Sequence, residues 1–378
     1  MACFYFGLQF DLNLLKSKRY DPYSNGTKSN VCHCPYESIH LLKRGFMDQR
    51  TSNLKKHQHP AWSATLKRCV VEAFPPAFRT GVWLLSITIP VSFVVLILKT
   101  TGALNLMSRV FEPLFTLLGL PGESAVVFAT ACLLNIYSCI AVIETLGMTG
   151  RTVTILALMC LISHNLPVES TVQKKTGSSL LKMIAIRLAA SFAGGMALNL
   201  LLPADPLSIA PSMADKALAD TTFLSDLQVW GIGMASLCLK IMVLVTLLMI
   251  LQRILEAFGI TGRLSHLLKY PLMALGVPRQ AAFLWVVANT LGLAYGAGVI
   301  LDHVGRGHLT PPQADLLNIH IAISHSLLED TLLFVAIGVS AWWIVIPRVI
   351  LAGIAVWLKR LIDSIRRKSI RSSAADKA

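Results

Sequence analysis

The chain has 378 residues, of which 54% are hydrophobic and only 14% charged, with a formal net charge of +14. This composition excludes an ordinary soluble globular protein. The positive charge does not indicate nucleic-acid binding, because Lys and Arg cluster at the ends of apolar runs, as at the cytoplasmic flanks of membrane helices. We therefore expect an all-α, polytopic membrane protein whose main partner is the lipid bilayer, with no nucleic acid among its ligands.

The N-terminal segment, residues 1–60, differs from the rest of the chain. It is polar and has no sustained hydrophobic period, so we predict a disordered extension without a secretory signal. Met47 is an alternative start. Cys32-His33-Cys34 offers half of a zinc site, but no second Cys/His pair follows at a finger spacing. We expect neither a resident metal site nor a cofactor.

Apolar segments long enough for membrane helices follow in two sets of four. They cover residues 81–98, 123–147, 152–171, 179–202, 230–251, 280–301, 314–331 and 333–358. Amphipathic stretches at 103–118 and 262–275 are predicted to lie at the membrane interface.

The two sets form two halves of matching layout. We divide the chain into a first repeat (61–202), a linker rich in Pro and Asp (203–229), a second repeat (230–360) and a basic tail (361–378). Residues 119–143 align without a gap to residues 276–300. The chain therefore contains an internal duplication.

Each half also carries one polar signature inside oily sequence. The first is Ile162-Ser-His-Asn-Leu-Pro-Val-Glu-Ser-Thr171, and the second is Ile323-Ser-His-Ser-Leu-Leu-Glu-Asp-Thr331, one residue shorter, so that Glu169 is matched with Glu329. An ionisable group at a bilayer centre costs roughly 3 kcal/mol on insertion scales, so such residues are functional candidates. The candidate substrate- or ion-binding residues are Ser163, His164, Asn165 and Glu169, then His325, Ser326, Glu329 and Asp330, with Asn135 and Asn289 from the preceding segments.

The distribution of charge predicts the topology. Basic residues before the first helix and after the last place both termini in the cytoplasm, and the acidic linker belongs outside. Eight full crossings cannot satisfy these placements. They fit if the segments bearing the two signatures are re-entrant, so that each half has three crossings and one hairpin. An odd number of crossings inverts the second half, which is the architecture that binds substrates near the midplane where helices are broken.

No nucleotide-binding loop, zinc-protease helix or nucleophile elbow is present, so no catalytic residue is assigned and no enzyme is predicted. The preferred interpretation is a permease-like protein for a small polar solute or cation. The alternative is a non-transporting scaffold that recruits or stabilises a partner, in which the signatures only hold the helix ends. An intramembrane metal-dependent enzyme is the third alternative. A homo-oligomer or a partner membrane subunit stays open.

Several strings resemble the gate-domain, or "nucleoside recognition", family. They are Gly-Leu-Pro-Gly-Glu at 119–123, Leu-Asn-Ile-Tyr at 134–137, Ser-His-Asn-Leu-Pro-Val-Glu at 163–169 and Lys-Thr-Gly at 175–177. That family includes spore-maturation-like proteins and the membrane part of ferrous-iron transport protein B, with relatives among concentrative nucleoside transporters. The resemblance, over about residues 80–360, implies a bacterial inner-membrane protein with two gate repeats and suggests nucleosides or divalent metals as solutes. These 378 residues contain no nucleotide-binding loop of the kind found in the GTPase domain of the iron transporter, so we do not expect iron transport as such.

Overall fold

The computed structural model describes residues 62–203, 223–290 and 292–375, and within these ranges the chain is helical without strands. The predicted all-α membrane fold is confirmed, with five helical stretches long and apolar enough to cross a membrane in the described ranges. The N-terminal extension, Cys32-His33-Cys34 and most of the linker lie outside the described residues.

The first half contains seven helices. They are α1 (Trp62–Thr100), α2 (Ala103–Thr116), α3 (Ser124–Leu133), α4 (Ile136–Leu146), α5 (Gly150–Ser163), α6 (Leu166–Lys175) and α7 (Leu180–Leu201). The amphipathic stretch at 103–118 is thus helical, and the second and third apolar segments are each broken in the middle.

The second half repeats this order. Its helices are α8 (Phe223–Ala257), α9 (Ile260–Ala274), α10 (Ala282–Thr290), α11 (Leu293–Gly305), α12 (Pro311–Ser324), α13 (Glu329–Val335) and α14 (Ala341–Ala375), with a 3₁₀ turn at Arg279–Ala281. Helix α8 begins inside the segment that was interpreted as linker.

The signature-bearing segment α5–α6 runs antiparallel to α7 along its whole length. Arg151 bonds to Asn199 near one end, Ser191 Oγ donates to the Met159 carbonyl, and Arg187 Nε donates to the Ile162 carbonyl. Seven residues of α7, 180–186, precede Arg187, and they connect directly to the loop that follows α6. Helix α6 therefore continues away from the start of α5, and the pair crosses the bundle as one broken helix.

The segment α3–α4 instead forms the re-entrant hairpin of the first half. Contacts of Thr88 with Ser138 and of Ser92 with Thr145 show that α4 runs parallel to α1. Since α2 and the start of α5 lie near the C-terminal end of α1, α3 enters from that end and α4 returns to it. The assignment of the re-entrant segments to the two signatures is therefore wrong.

The second half has the same arrangement. Arg348 Nε donates to the Ile323 carbonyl at 3.2 Å, and farther along α14 Val356 packs in one cluster with Ile319. Helix α14 is thus antiparallel to α12–α13, which crosses as a broken helix, and α10–α11 is the hairpin. Helices α12–α13 are not among the five long apolar stretches, and their crossing is inferred from the packing against α14. With that crossing, three crossings and one hairpin per half are retained, and the hairpins move one segment earlier. Charge counts place loops on a side, but they do not say which apolar segment turns back.

Two ends of the bundle can now be defined. The linker end holds Leu201 and Phe223, and the terminal end holds Trp62 and Arg360. Helices α1 and α8 pack antiparallel between these ends, with Trp230 Nε1 donating to Ser92 Oγ at 2.8 Å and Cys69 near Arg253. The two halves thus begin at opposite ends, as an inverted repeat requires.

Helix α5 lies at the centre, and its residues 155–162 are all fully buried. A helix that is apolar on every side is expected in such a position. It brings the end of the first broken helix, and the signature that follows, into the middle of the bundle.

Polar side chains join the two halves near the terminal end, in a group that we name the polar latch: Thr176, Ser178, Lys182, Asp315 and Asn318. Ser178 Oγ donates to Asp315 at 2.7 Å, and Thr176 Oγ1 donates to Asn318 Oδ1 at 3.1 Å. Lys182 forms an ion pair with the same Asp315 carboxylate. The loop after α6 is thereby tied to α12 of the other half.

Candidate functional site

Both signatures lie at breaks in crossing helices, and the structure brings the two breaks together. His164 follows the last residue of α5 and His325 follows the last residue of α12. Their Nε2 atoms are 3.4 Å apart, although the residues are 161 positions apart in the chain. Both side chains are more than nine-tenths buried. The site therefore joins the two repeats inside the bundle.

The two breaks have the same backbone conformation. Each histidine is extended, and the next residue is left-handed, with φ of 48° at Asn165 and 51° at Ser326. Pro167 then lies in the first turn of α6, where it disrupts no helical hydrogen bond. The backbone N–H of Asn165 donates to the Ala131 carbonyl at 2.8 Å, and this bond connects the first break to helix α3 of the hairpin.

The geometry of the backbone sets the tautomer of both histidines. His164 Nδ1 lies 3.1 Å from the Leu161 carbonyl, and His325 Nδ1 lies 2.8 Å from the Ile321 carbonyl. A carbonyl oxygen only accepts hydrogen bonds, so Nδ1 carries the proton in each ring. A neutral imidazole then presents the Nε2 lone pair to the centre of the site, and a close contact of that nitrogen with a carboxylate oxygen requires a proton or a cation between them.

Glu169 connects the two histidines. Its Oε1 is 3.1 Å from His164 Nε2, and its Oε2 is 3.0 Å from His325 Nε2. Arg187 lies 2.7 Å from the same Oε2. One carboxylate of the first half thus contacts the histidines of both halves, which the sequence alone does not show.

Two buried arginines, absent from the sequence prediction, hold the helix breaks. Arg187 donates to the carbonyls of Ile162 and His164, and Arg348 donates to those of Ile323 and His325. Both side chains are completely buried. Each arginine follows its histidine by 23 residues. That repeated spacing, with a charge inside an apolar run, is the signal by which they could have been found.

The second half supplies carboxylates in a different register from the one predicted. Asp330, not Glu329, lies at the repeat position of Glu169, because the equivalent left-handed residues and arginines match without a gap. Asp330 Oδ2 is 3.6 Å from His164 Nε2 and accepts no hydrogen bond. Glu329 accepts a hydrogen bond from Tyr137 at 3.2 Å, just beyond the tip of hairpin α3–α4.

The remaining predicted residues are not brought into this cluster. Ser163 Oγ donates to the Arg187 carbonyl, and Asn135 caps α4 by accepting from the Ser138 amide. Asn289 donates to the Trp285 carbonyl in its own helix. These contacts support the local backbone. Ser326 contributes the left-handed backbone of its break.

His164, Glu169 and His325 offer ligand atoms that all lie within 4.8 Å of one another, a combination that fits a metal ion. Two buried arginines, Arg187 and Arg348, and three carboxylates, Glu169, Glu329 and Asp330, lie in or beside this cluster. The cluster can accept a cation or hydrogen-bond a polar solute.

The chain is 30% identical over 289 residues to "Uncharacterized membrane protein YvoD" of Bacillus subtilis (strain 168), an alignment that covers 75% of this chain and 91% of that protein. No protein-family model and no solved structure matches the chain. At this identity and coverage the chain belongs to the same family of membrane proteins as YvoD.

Proposed function

From this membership of a membrane-protein family, we propose that the chain is a permease-like protein that moves a small polar solute or a cation across the inner membrane. The observation that supports it is the contact of His164 and His325 with the shared Glu169. A buried ionisable cluster where both halves meet is the arrangement expected of an alternating-access transporter.

The two histidines favour transport over a purely structural role. A broken helix leaves unpaired carbonyls, which cost free energy in hydrocarbon. Arg187 and Arg348 already donate to these carbonyls, and Glu169 lies 2.7 Å from Arg187. The carbonyls at both breaks are therefore satisfied without the imidazoles. The Nε2 atoms that converge on the carboxylate are therefore available for a solute.

The chemistry of the cluster supports two classes of solute. Imidazole nitrogens and carboxylate oxygens suit a cation or the hydroxyl and amine groups of a nucleoside-like molecule. The gate-domain resemblance adds the same two classes. We place the terminal end of the bundle in the cytoplasm, because the basic residues that flank α1, α9 and α14 lie there.

Uptake into proteoliposomes tests the proposal. The purified protein should accumulate a member of a panel of nucleosides and divalent cations, assayed with and without proton and sodium gradients. Glu169→Gln should reduce uptake at least tenfold while the protein remains folded, because it keeps the shape but removes the charge between the histidines. Asp302→Asn, at an exposed ion pair with Arg306, is the matched control and should transport normally.

The scaffold alternative makes the opposite prediction for the same variant. A neutral amide removes the desolvation cost of a buried carboxylate. If the protein is only a scaffold, Glu169→Gln should therefore stay folded and keep its function of binding a partner. A Glu169→Gln protein that is stable and fully active would therefore remove Glu169 from the transport path.

A further inference from the structure

We propose that His164, His325, Glu169 and Asp330 bind a divalent first-row transition-metal ion, for which Zn²⁺ and Co²⁺ are suitable probes. This inference deepens the proposed function, on which it rests, by naming the class of solute. Three ligand atoms from the two halves would bind the ion, the two imidazole Nε2 atoms and one oxygen of Glu169, and Asp330 would add a carboxylate on the side of His164.

The distances between the ligand atoms are those of a coordination shell. In a tetrahedral site with bonds of about 2.1 Å, neighbouring ligand atoms are roughly 3.4 Å apart. The two Nε2 atoms are 3.4 Å apart, His164 Nε2 is 3.1 Å from Glu169 Oε1, and Asp330 Oδ2 is 3.6 Å from His164 Nε2. His164, His325 and Glu169 therefore require little rearrangement to bind an ion, whereas Asp330 would have to move towards His325 and Glu169 to complete the shell.

The hydrogen bonds around the ligands orient them for a metal. Metal-binding histidines usually donate their second ring N–H to a carbonyl or carboxylate, which fixes the ring and exposes the other nitrogen. Both histidines make such bonds through Nδ1. Oε1 of Glu169 faces His164, and Oε2 lies 3.0 Å from His325 Nε2 and 2.7 Å from Arg187.

Asp330 provides an independent indication. Its side chain is only 9% exposed, and its Oδ2 atom accepts no hydrogen bond although it faces His164 Nε2. A buried carboxylate oxygen without a donor is costly. An ion between Asp330 and His164 would supply the positive charge that this oxygen lacks.

The buried arginine beside the cluster favours a transported ion over a resident one. Arg187 lies 2.7 Å from Oε2 of Glu169, so a bound cation competes with a guanidinium for the same carboxylate. We expect the ion to bind reversibly. A transport site must release its ion as well as bind it.

Metal binding to the purified protein in detergent tests this site without any transport measurement. The protein should carry a purification tag without histidine. Two other pairs of candidate metal ligands are removed. Cys32 and Cys34 are replaced by Ser, and His303 and His308, whose rings contact each other, are replaced by Gln. Equilibrium dialysis with Co²⁺ and Zn²⁺ should give one saturable site per chain, and His164→Gln or His325→Gln should each weaken it at least tenfold.

His320→Gln is the matched control. His320 is a buried histidine of α12 that accepts from Trp285 Nε1 and contacts Ser324, so its replacement should leave the affinity unchanged. The variant His325→Cys tests ligation directly: bound Co²⁺ should show a new near-ultraviolet thiolate band. This readout depends on contact with the metal and remains decisive if the Gln variants are unstable.

The outcomes separate this inference from the proposed function. Absence of saturable binding, or binding unchanged in His164→Gln and His325→Gln, would overturn the metal site even if a nucleoside is transported. One-to-one binding that is lost in these variants, together with a His325→Cys thiolate band, would support the site even if proteoliposomes show no uptake.

Discussion

The two buried arginines stabilise the backbone of the site, although the sequence analysis did not name them. Each donates to two carbonyls at a helix break, and Arg187 also pairs with Glu169. A guanidinium provides several donors in one plane, which a lysine ammonium cannot reproduce. One arginine can therefore donate to two carbonyls of the same helix break at once.

The first prediction at the residue scale concerns this geometry. Arg187→Lys should lower the free energy of unfolding by about 2–4 kcal/mol, because buried carbonyls lose their donors and Glu169 loses part of its pairing. Arg348→Lys should also be destabilising, through the carbonyls of Ile323 and His325. Thermal unfolding in detergent measures both effects. Arg306→Lys, at an exposed ion pair, should change little, and an equal loss in all three variants would contradict this assignment.

Sequence reasoning identified the histidines, Glu169 and Asp330, because ionisable groups in apolar runs are conspicuous in a printed sequence. It did not identify Arg187 or the register of Asp330. The one-residue gap in the second signature was introduced to match Glu169 with Glu329, whereas the backbone breaks and arginines match without a gap. The left-handed residues and the arginines therefore define the alignment of the two repeats better than the local sequence similarity of the signatures does.

At the scale of the elements, the break in each crossing helix depends on one left-handed residue. Asn165 has a φ of 48°, a conformation that Gly and Asn adopt readily and β-branched residues avoid. The residue aligns the α5 carbonyls with Arg187 and starts α6 in a new direction.

A pair of substitutions at Asn165 tests this dependence. Asn165→Val should lower the free energy of unfolding by about 1–2 kcal/mol through backbone strain, whereas Asn165→Gly should stay within about 0.5 kcal/mol of the parent protein. Thermal unfolding is again the measurement. Equal stability of the two variants would mean that the break does not require this conformation.

The apolar segments and both amphipathic helices were predictable from hydropathy, since their lengths and periods are local properties of the sequence. The identity of the re-entrant segments was not. A hairpin and a broken crossing helix of similar length share composition and central polar residues. The distinction lies in contacts such as Thr88 with Ser138 and Arg187 with Ile162, which join distant segments.

At the scale of the whole molecule, the revised topology can be tested by labelling. In a background without cysteine, single cysteines at Thr101 and Thr149 should react with a membrane-impermeant maleimide from the same side, because the hairpin α3–α4 returns to the end that it entered. A cysteine at Lys175 should react only from the opposite side. If the cysteines at Thr149 and Lys175 react from one side, α5–α6 is re-entrant and the crossing is incorrect.

The polar latch gives the two ends of the bundle different resistance to water. At the repeat positions of Thr176, Ser178 and Asn318 the linker end has Ile337, Val339 and Ala157, which belong to one hydrophobic cluster. Separating apolar groups exposes them to water at roughly 25 cal/mol per Å². Hydrogen bonds, in contrast, are largely replaced by water when they open, at a net cost of about 1 kcal/mol each. The terminal end is therefore the side from which water reaches His164 and His325 at the lower free energy.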